Sequence, residues 1–193
     1  MANYDNLFKI VVIGDPSAPR KQIVQAITDN KNEEIGEMTY FDSKIGNRTF
    51  KLQFWIPETK ENIFQVRSSY YRGANAVIFV FDNTNKKSFD NLINWNKDVE
   101  NSAPKEVIKF IFITGLITSP KIVSDGELRE CGKKIKAEIC GFWFNVPLTI
   151  GLCLEVVKQK LLDMYTLNGN PPEINEQLTQ ISLSDYVLSL LSK

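Results

Sequence analysis

Ser68-Ser69-Tyr70-Tyr71-Arg72-Gly73-Ala74-Asn75-Ala76-Val77-Ile78-Phe79-Val80-Phe81-Asp82 passes from a polar segment with paired tyrosines into an unbroken apolar run. The run at 76–81 is short, rich in Val, Ile and Phe, and bounded by Asn, as a buried strand should be. Runs of the same kind recur at 8–13, 50–55, 107–113 and 142–146. Between them, 21–28, 62–71, 88–100, 125–139 and 152–165 carry helical spacing. In the last of these, Leu154, Val157, Leu161 and Tyr165 share one face. Ser88 stands where an N-cap is needed, before Phe89 and Leu92. Residues 40–45 turn through Gly46-Asn47 into 50–55, which reads as a hairpin. Strands alternating with helices predict βαβ units and a mainly parallel sheet with its ligand sites at the carboxyl ends of the strands.

With 193 residues and 43% apolar content, the chain has the size and core of one domain with an appendage. Its 23 basic and 23 acidic residues cancel, so no global field argues for nucleic acid or an anionic membrane. Histidine is absent, which removes the commonest general base and metal ligand. Cys131, Cys140 and Cys153 lack metal-ligand spacing and read as reduced thiols of a cytoplasmic protein. There is neither a basic-then-apolar leader nor an apolar run near the ~20 residues a spanning helix needs. After Leu167, Asn168-Gly169-Asn170-Pro171-Pro172 reads as a linker. The expected organisation is a domain at 1–167, a linker at 168–180 and an amphipathic segment at 181–193. Within that segment Leu183, Val187, Leu190 and Leu191 keep helical spacing, over a length too short to hold a helix alone.

The stretch at 68–82, taken with Lys51-Leu52-Gln53-Phe54-Trp55, resembles the interswitch and following strand of a Rab-type small GTPase. The likeness extends over roughly residues 7–165 and includes Phe81-Asp82-Asn83-Thr84-Asn85-Lys86-Lys87-Ser88-Phe89-Asp90. It implies a Ras-like P-loop G-domain fold: a mostly parallel six-stranded sheet flanked by helices, here with a short appended C-terminal helix. Trp55 and Tyr70 match two members of the aromatic triad that Rab-type proteins show to partners.

At the nucleotide-binding motifs this chain departs from the family. A P-loop reads GxxxxGK[ST], with backbone N–H groups around the phosphates, a lysine on them and a hydroxyl on magnesium. Gly14-Asp15 opens in the same way, but Pro16-Ser17-Ala18-Pro19-Arg20-Lys21 follows. Pro19 has no N–H to give. Arg20 puts a planar fork where the lysine belongs, and Lys21 puts a cation where the magnesium hydroxyl belongs. Glu34 replaces the metal-binding threonine before Ile35-Gly36. Ile56-Pro57-Glu58-Thr59-Lys60-Glu61 stands for Asp-Thr-Ala-Gly-Gln-Glu, and Thr114-Gly115-Leu116-Ile117 for the guanine-reading Asn-Lys-x-Asp. The final Ser-Ala-Lys falls at Leu148-Thr149-Ile150, after an insertion near 131–139. Each lost charge-assisted bond costs about 1.5–3 kcal/mol. Several such losses erase the ~12 kcal/mol behind nanomolar affinity.

The resemblance therefore implies a Rab-like pseudo-GTPase acting as a protein-interaction or scaffold module in vesicle trafficking. No catalytic residue and no metal ligand is expected. Gly14, Arg20 and Lys21 are vestigial P-loop positions, in a pocket closed by the protein's own side chains with counter-charge from Glu33, Glu34, Glu58 and Glu61. Trp55, Tyr70, Leu183, Val187 and Leu190 are the expected partner-binding residues, at the interswitch surface and the C-terminal helix. That helix is expected to dock on a partner or a second copy rather than fold back. No nucleic acid, lipid anchor or cofactor is expected. GTP, GDP and Mg enter only under an alternative reading, a divergent small GTPase with weak, Mg-independent nucleotide binding. A second alternative is a constitutive structural subunit of a larger complex.

Overall fold

Alternate residues of β1 (Asn6–Gly14) feed opposite layers, and the strand is buried without a break from Ile10 onward. In the computed structural model, which describes residues 4–28, 33–35, 38–45, 48–60, 63–115, 120–141 and 147–167, this strand is central. The chain runs β1, α1 (Arg20–Ile27), β2 (Glu33–Ile35), β3 (Met38–Ile45), β4 (Arg48–Trp55), α2 (Ser68–Tyr71), β5 (Ala76–Asp82) and α3 (Lys86–Asp90). It continues with α4 (Leu92–Ser102), β6 (Ile108–Thr114), α5 (Asp125–Ile135), β7 (Ala137–Gly141) and α6 (Pro147–Leu167). The strands form one sheet in the order β2-β3-β4-β1-β5-β6-β7. Pairing is parallel from β4 to β7 and antiparallel along β2–β3–β4.

The period of two along each strand sorts the core into two layers. Ile10, Val12, Ile78, Val80, Phe110 and Phe112 face α1 and α6. Val11, Ile13, Val77, Phe79, Phe81 and Ile111 face α4 and α5. Both faces being covered explains why β1, β5 and β6 read as continuous apolar runs instead of alternating ones.

The expected α/β sheet is present, with the three-residue β2 added at one edge. β3 and β4 pair antiparallel as expected, with Ile45 opposite Arg48, and the expected turn at Gly46-Asn47 lies outside the described residues. Several boundaries differ from expectation. The helix expected over 62–71 is confined to the single turn Ser68–Tyr71. Ser88 lies inside α3, and Asn85 is the cap, its side chain accepting from the Ser88 N–H. The last strand is Ala137–Gly141, not 142–146, and α5 ends at Ile135 instead of reaching residue 139. Leu148-Thr149-Ile150 consequently falls in the first turn of α6, past the end of the strand, and residues 131–139 hold the end of α5 and the start of β7. Residues 142–146 and 168–193, with Leu183, Val187 and Leu190, lie outside the described residues.

The α5–β7 junction is tight because Lys136 takes a left-handed conformation at φ 56. That geometry costs a side-chain-bearing residue more than it costs glycine. Lys136→Gly should stabilise the fold by about 0.5–1 kcal/mol, read as a rise in Tm of about 1–4 °C by thermal melting.

Candidate functional site

At the carboxyl end of β1, Gly14 lies against β5 so closely that a Cβ there would sit 2.3 Å from the Val80 carbonyl oxygen, and its φ is +153. Asp15 follows and is buried. Its carboxylate accepts from Trp95 Nε1 at 3.0 Å and from Asn91 Nδ2 at 2.7 Å. The chain then turns on itself. The Ala18 N–H donates to the Asp15 carbonyl at 2.9 Å, and the Arg20 N–H donates to the Ala18 carbonyl at 2.8 Å. Pro16 and Pro19 have no N–H, and Pro19 caps α1 without any side-chain hydrogen bond.

Arg20 spends part of its guanidinium inside the protein. Its Nη1 donates to the Pro57 carbonyl at 2.7 Å. Burial pulls this group down from its ordinary value, and the negative charges of Asp15 and Glu58 oppose that shift. Its Nε is buried and has no hydrogen-bond partner among the described residues. Thr59 Oγ1 donates to the Gly14 carbonyl at 3.1 Å, bringing the segment after β4 onto the loop. Lys21 is exposed. A cleft of about 420 Å³ remains, lined by residues 16–22 and 56–59. The described side chains leave this cleft unfilled. Of the four expected counter-charges Glu58 contributes, while the side chains of Glu33, Glu34 and Glu61 lie outside the described residues.

On the guanine-reading side, Thr114 Oγ1 donates to the Phe81 carbonyl at 2.9 Å and is buried. Leu116 and Ile117 lie outside the described residues. Among the described residues no group of three or more Cys, Asp or Glu is placed to hold a metal ion.

The second candidate surface is aromatic. The rings of Trp55 and Tyr70 meet edge to face with centroids 5.8 Å apart. Lys9 Nζ lies 4.5 Å above the Trp55 ring and donates to the Arg72 carbonyl at 2.9 Å. The structure thus brings the two expected residues together on partly exposed ground, with Trp55 Nε1 buried and without a partner among the described residues.

Sequence reasoning missed what holds these two places in position. Asp98 of α4 is buried and accepts from the Val66 N–H at 3.1 Å and from Tyr71 Oη at 2.7 Å. Phe64 packs edge to face on Trp95, with centroids 5.5 Å apart. The spacing of Asn91, Trp95 and Asp98 on one helix face was the available signal.

The sequence profile of the Ras family matches residues 9–136. The chain belongs to the Ras family. It is 34% identical over 142 residues to "Ras-related protein Rab-1" of Theileria parva, covering 69% of this chain and 64% of that protein. Its identity to "Ras-related protein Rab-1" of Theileria annulata is 38% over 118 residues, 58% of this chain and 54% of that protein. To "Ras-related protein Rab-10" of Caenorhabditis elegans it is 33% over 138 residues, covering 68% and 67%. The matched stretch is thus under two thirds of either Theileria protein. These relatives support a Rab-type small GTPase within the Ras family. No described helix is long and apolar enough to cross a membrane.

Gly14→Ala should cost about 2–4 kcal/mol, because it adds a backbone clash to a strained φ. A lowered urea midpoint would check this. Tyr71→Phe leaves Asp98 with one donor and should cost about 1–3 kcal/mol at pH 7. Burial, reinforced by Asp98, pushes the Tyr71 phenol well above its ordinary value of 10.0. The unfolded phenol releases its proton above about pH 10 while the folded one keeps it, so the stabilisation is intact below that pH and is lost above it. Urea titrations should show a wild-type-to-Phe gap that is flat from about pH 6 to 9 and narrows above about pH 10.

Proposed function

We infer that this Rab-type member of the Ras family has lost guanine-nucleotide and magnesium binding. It acts as a protein-interaction or scaffold module in vesicle trafficking. The observation that carries the reading is the loop at 15–20. Two of its positions are proline, the Ala18 and Arg20 N–H groups are used within the loop, and the Arg20 guanidinium is spent on the Pro57 carbonyl. A phosphate chain needs those donors facing outward, so this donor set does not fit a magnesium-bound nucleoside triphosphate. Lys21 at the metal-hydroxyl position would repel the cation.

Rab-family proteins bind other proteins. The Trp55–Tyr70 pair supports a partner surface here, since large amphipathic aromatics held in place by their neighbours are the usual anchors of interfaces. One observation favours the alternative of weak, metal-independent nucleotide binding: the cleft beside Ser17 and Lys21 stays open at about 420 Å³.

Fluorescent GDP and a non-hydrolysable GTP analogue, titrated with magnesium and with a chelator, separate the readings. We expect no saturable binding below about 100 µM in any arm, a free energy weaker than about 5.5 kcal/mol. Sub-micromolar affinity that tightens with magnesium would overturn the inference. Micromolar affinity indifferent to the metal would establish the alternative.

A further inference from the structure

At the end of the sheet away from the cleft, a concavity of about 270 Å³ lies between α4, the loop before β6 and the end of α5. Its apolar floor includes Val99, Ala103, Pro104 and Val107, and Lys105, Lys109 and Lys136 stand around it with Glu100. An adjoining cleft of about 440 Å³ shares Lys136 and adds Arg129 and Lys133. Together these linings hold five cations and two acids, in a chain whose charges cancel overall. Both acids are engaged: Glu100 lies 3.4 Å from Lys109, and Glu138 pairs with Lys160 at 2.7 Å. Lys105, Arg129, Lys133 and Lys136 are exposed and form no ion pair among the described residues. Such a basin takes an acidic ligand with apolar side chains.

The chain carries a segment of that chemistry. Between residues 168 and 192 it has Glu173, Glu176 and Asp185, no Lys or Arg, and a series of Ile, Leu and Val side chains. The segment leaves α6 at the same end of the sheet. Near the end of that helix the Tyr165 ring lies 6.2 Å from Phe8 and 6.2 Å from Phe50, early in β1 and β4. Ile10, Ala76 and Ile108 share one row, and Lys109 pairs with Ala137 just beyond it. The basin is therefore about three strand spacings from β1, or ~15 Å, plus ~10 Å to the other layer. The six Cα steps from Leu167 to Glu173 reach about 20 Å when extended, which covers the direct distance of ~18 Å that these two offsets give.

We propose that residues 173–191 dock in cis on this basin, their carboxylates facing Lys105, Lys133 and Lys136 and their apolar side chains on its floor. This reverses the sequence-based preference for docking in trans, because the structure supplies the groove and the charge that the sequence alone did not reveal.

A zero-length carbodiimide coupling of the full chain tests it, with peptide mass spectrometry on the monomer band. The Lys86–Glu127 contact at 2.7 Å is the internal control and should couple. The expected result is amide links from Glu173, Glu176 or Asp185 to Lys105, Lys133 or Lys136 within the monomer. In the E173K/E176K/D185K chain these links cannot form, since the tail has lost its coupling carboxylates, and the charge test is the exchange that follows. Adding K105E/K136E to that chain should restore coupling with the charges exchanged. Any of three results overturns the proposal while the control couples: no tail links, tail links scattered over unrelated lysines, or tail links in the covalent dimer only. The last would assign the basin to a second copy.

Discussion

Three side chains of α4 and its N-cap fasten both the loop after β1 and the segment that leads to α2. Asn91 and Trp95 hold the Asp15 carboxylate, while Asp98 holds the Val66 N–H and the Tyr71 hydroxyl. A carboxylate taken out of water costs several kcal/mol unless donors replace its hydration. Each of these two therefore dictates where its partners lie. The loop after β1 cannot shift without exposing or orphaning Asp15, and the segment leading to α2 cannot shift without doing the same to Asp98. Both segments are thus positioned through one helix, which is itself set by packing on β1 and β5.

In switching members of the superfamily, contacts to a terminal phosphate and its metal order such segments, and hydrolysis releases them. Ordering by α4 has a different dependence. It responds to whatever weakens buried hydrogen bonds, such as high pH acting on Tyr71, and a ligand would shift it only through a difference in affinity for two arrangements. The Thr59 contact to the Gly14 carbonyl and the Arg20 contact to the Pro57 carbonyl add two more ties between the same segments.

Much of the architecture was legible because β1, β5 and β6 are apolar over most of their length and β4 sets Phe50, Leu52 and Phe54 on one face, and all four strands fall within a residue or two of expectation. The last strand was not. Ala137–Gly141 contains Glu138 and is only partly buried at the sheet edge, so it is polar enough to read as a continued helix. The turn before it relies on Lys136 in a conformation that sequence normally signals with glycine. For the site, the residue types at 14–21 and at Trp55 and Tyr70 were readable. The roles of Asp15 and Asp98 were not, because their hydrogen bonds span from 27 to 80 positions along the chain. Open space beside Ser17 was equally hidden, since proline predicts lost donors and says nothing about volume.

The closeness of Gly14 to Val80 bears on how descent is read from such chains. That glycine would be demanded by the pairing of β1 with β5 in any protein built this way, whatever passes over the loop beyond it. A requirement of folding alone is enough to put the first letter of a nucleotide-binding motif at this place. Its presence follows from strand geometry and carries no weight as testimony for or against activity.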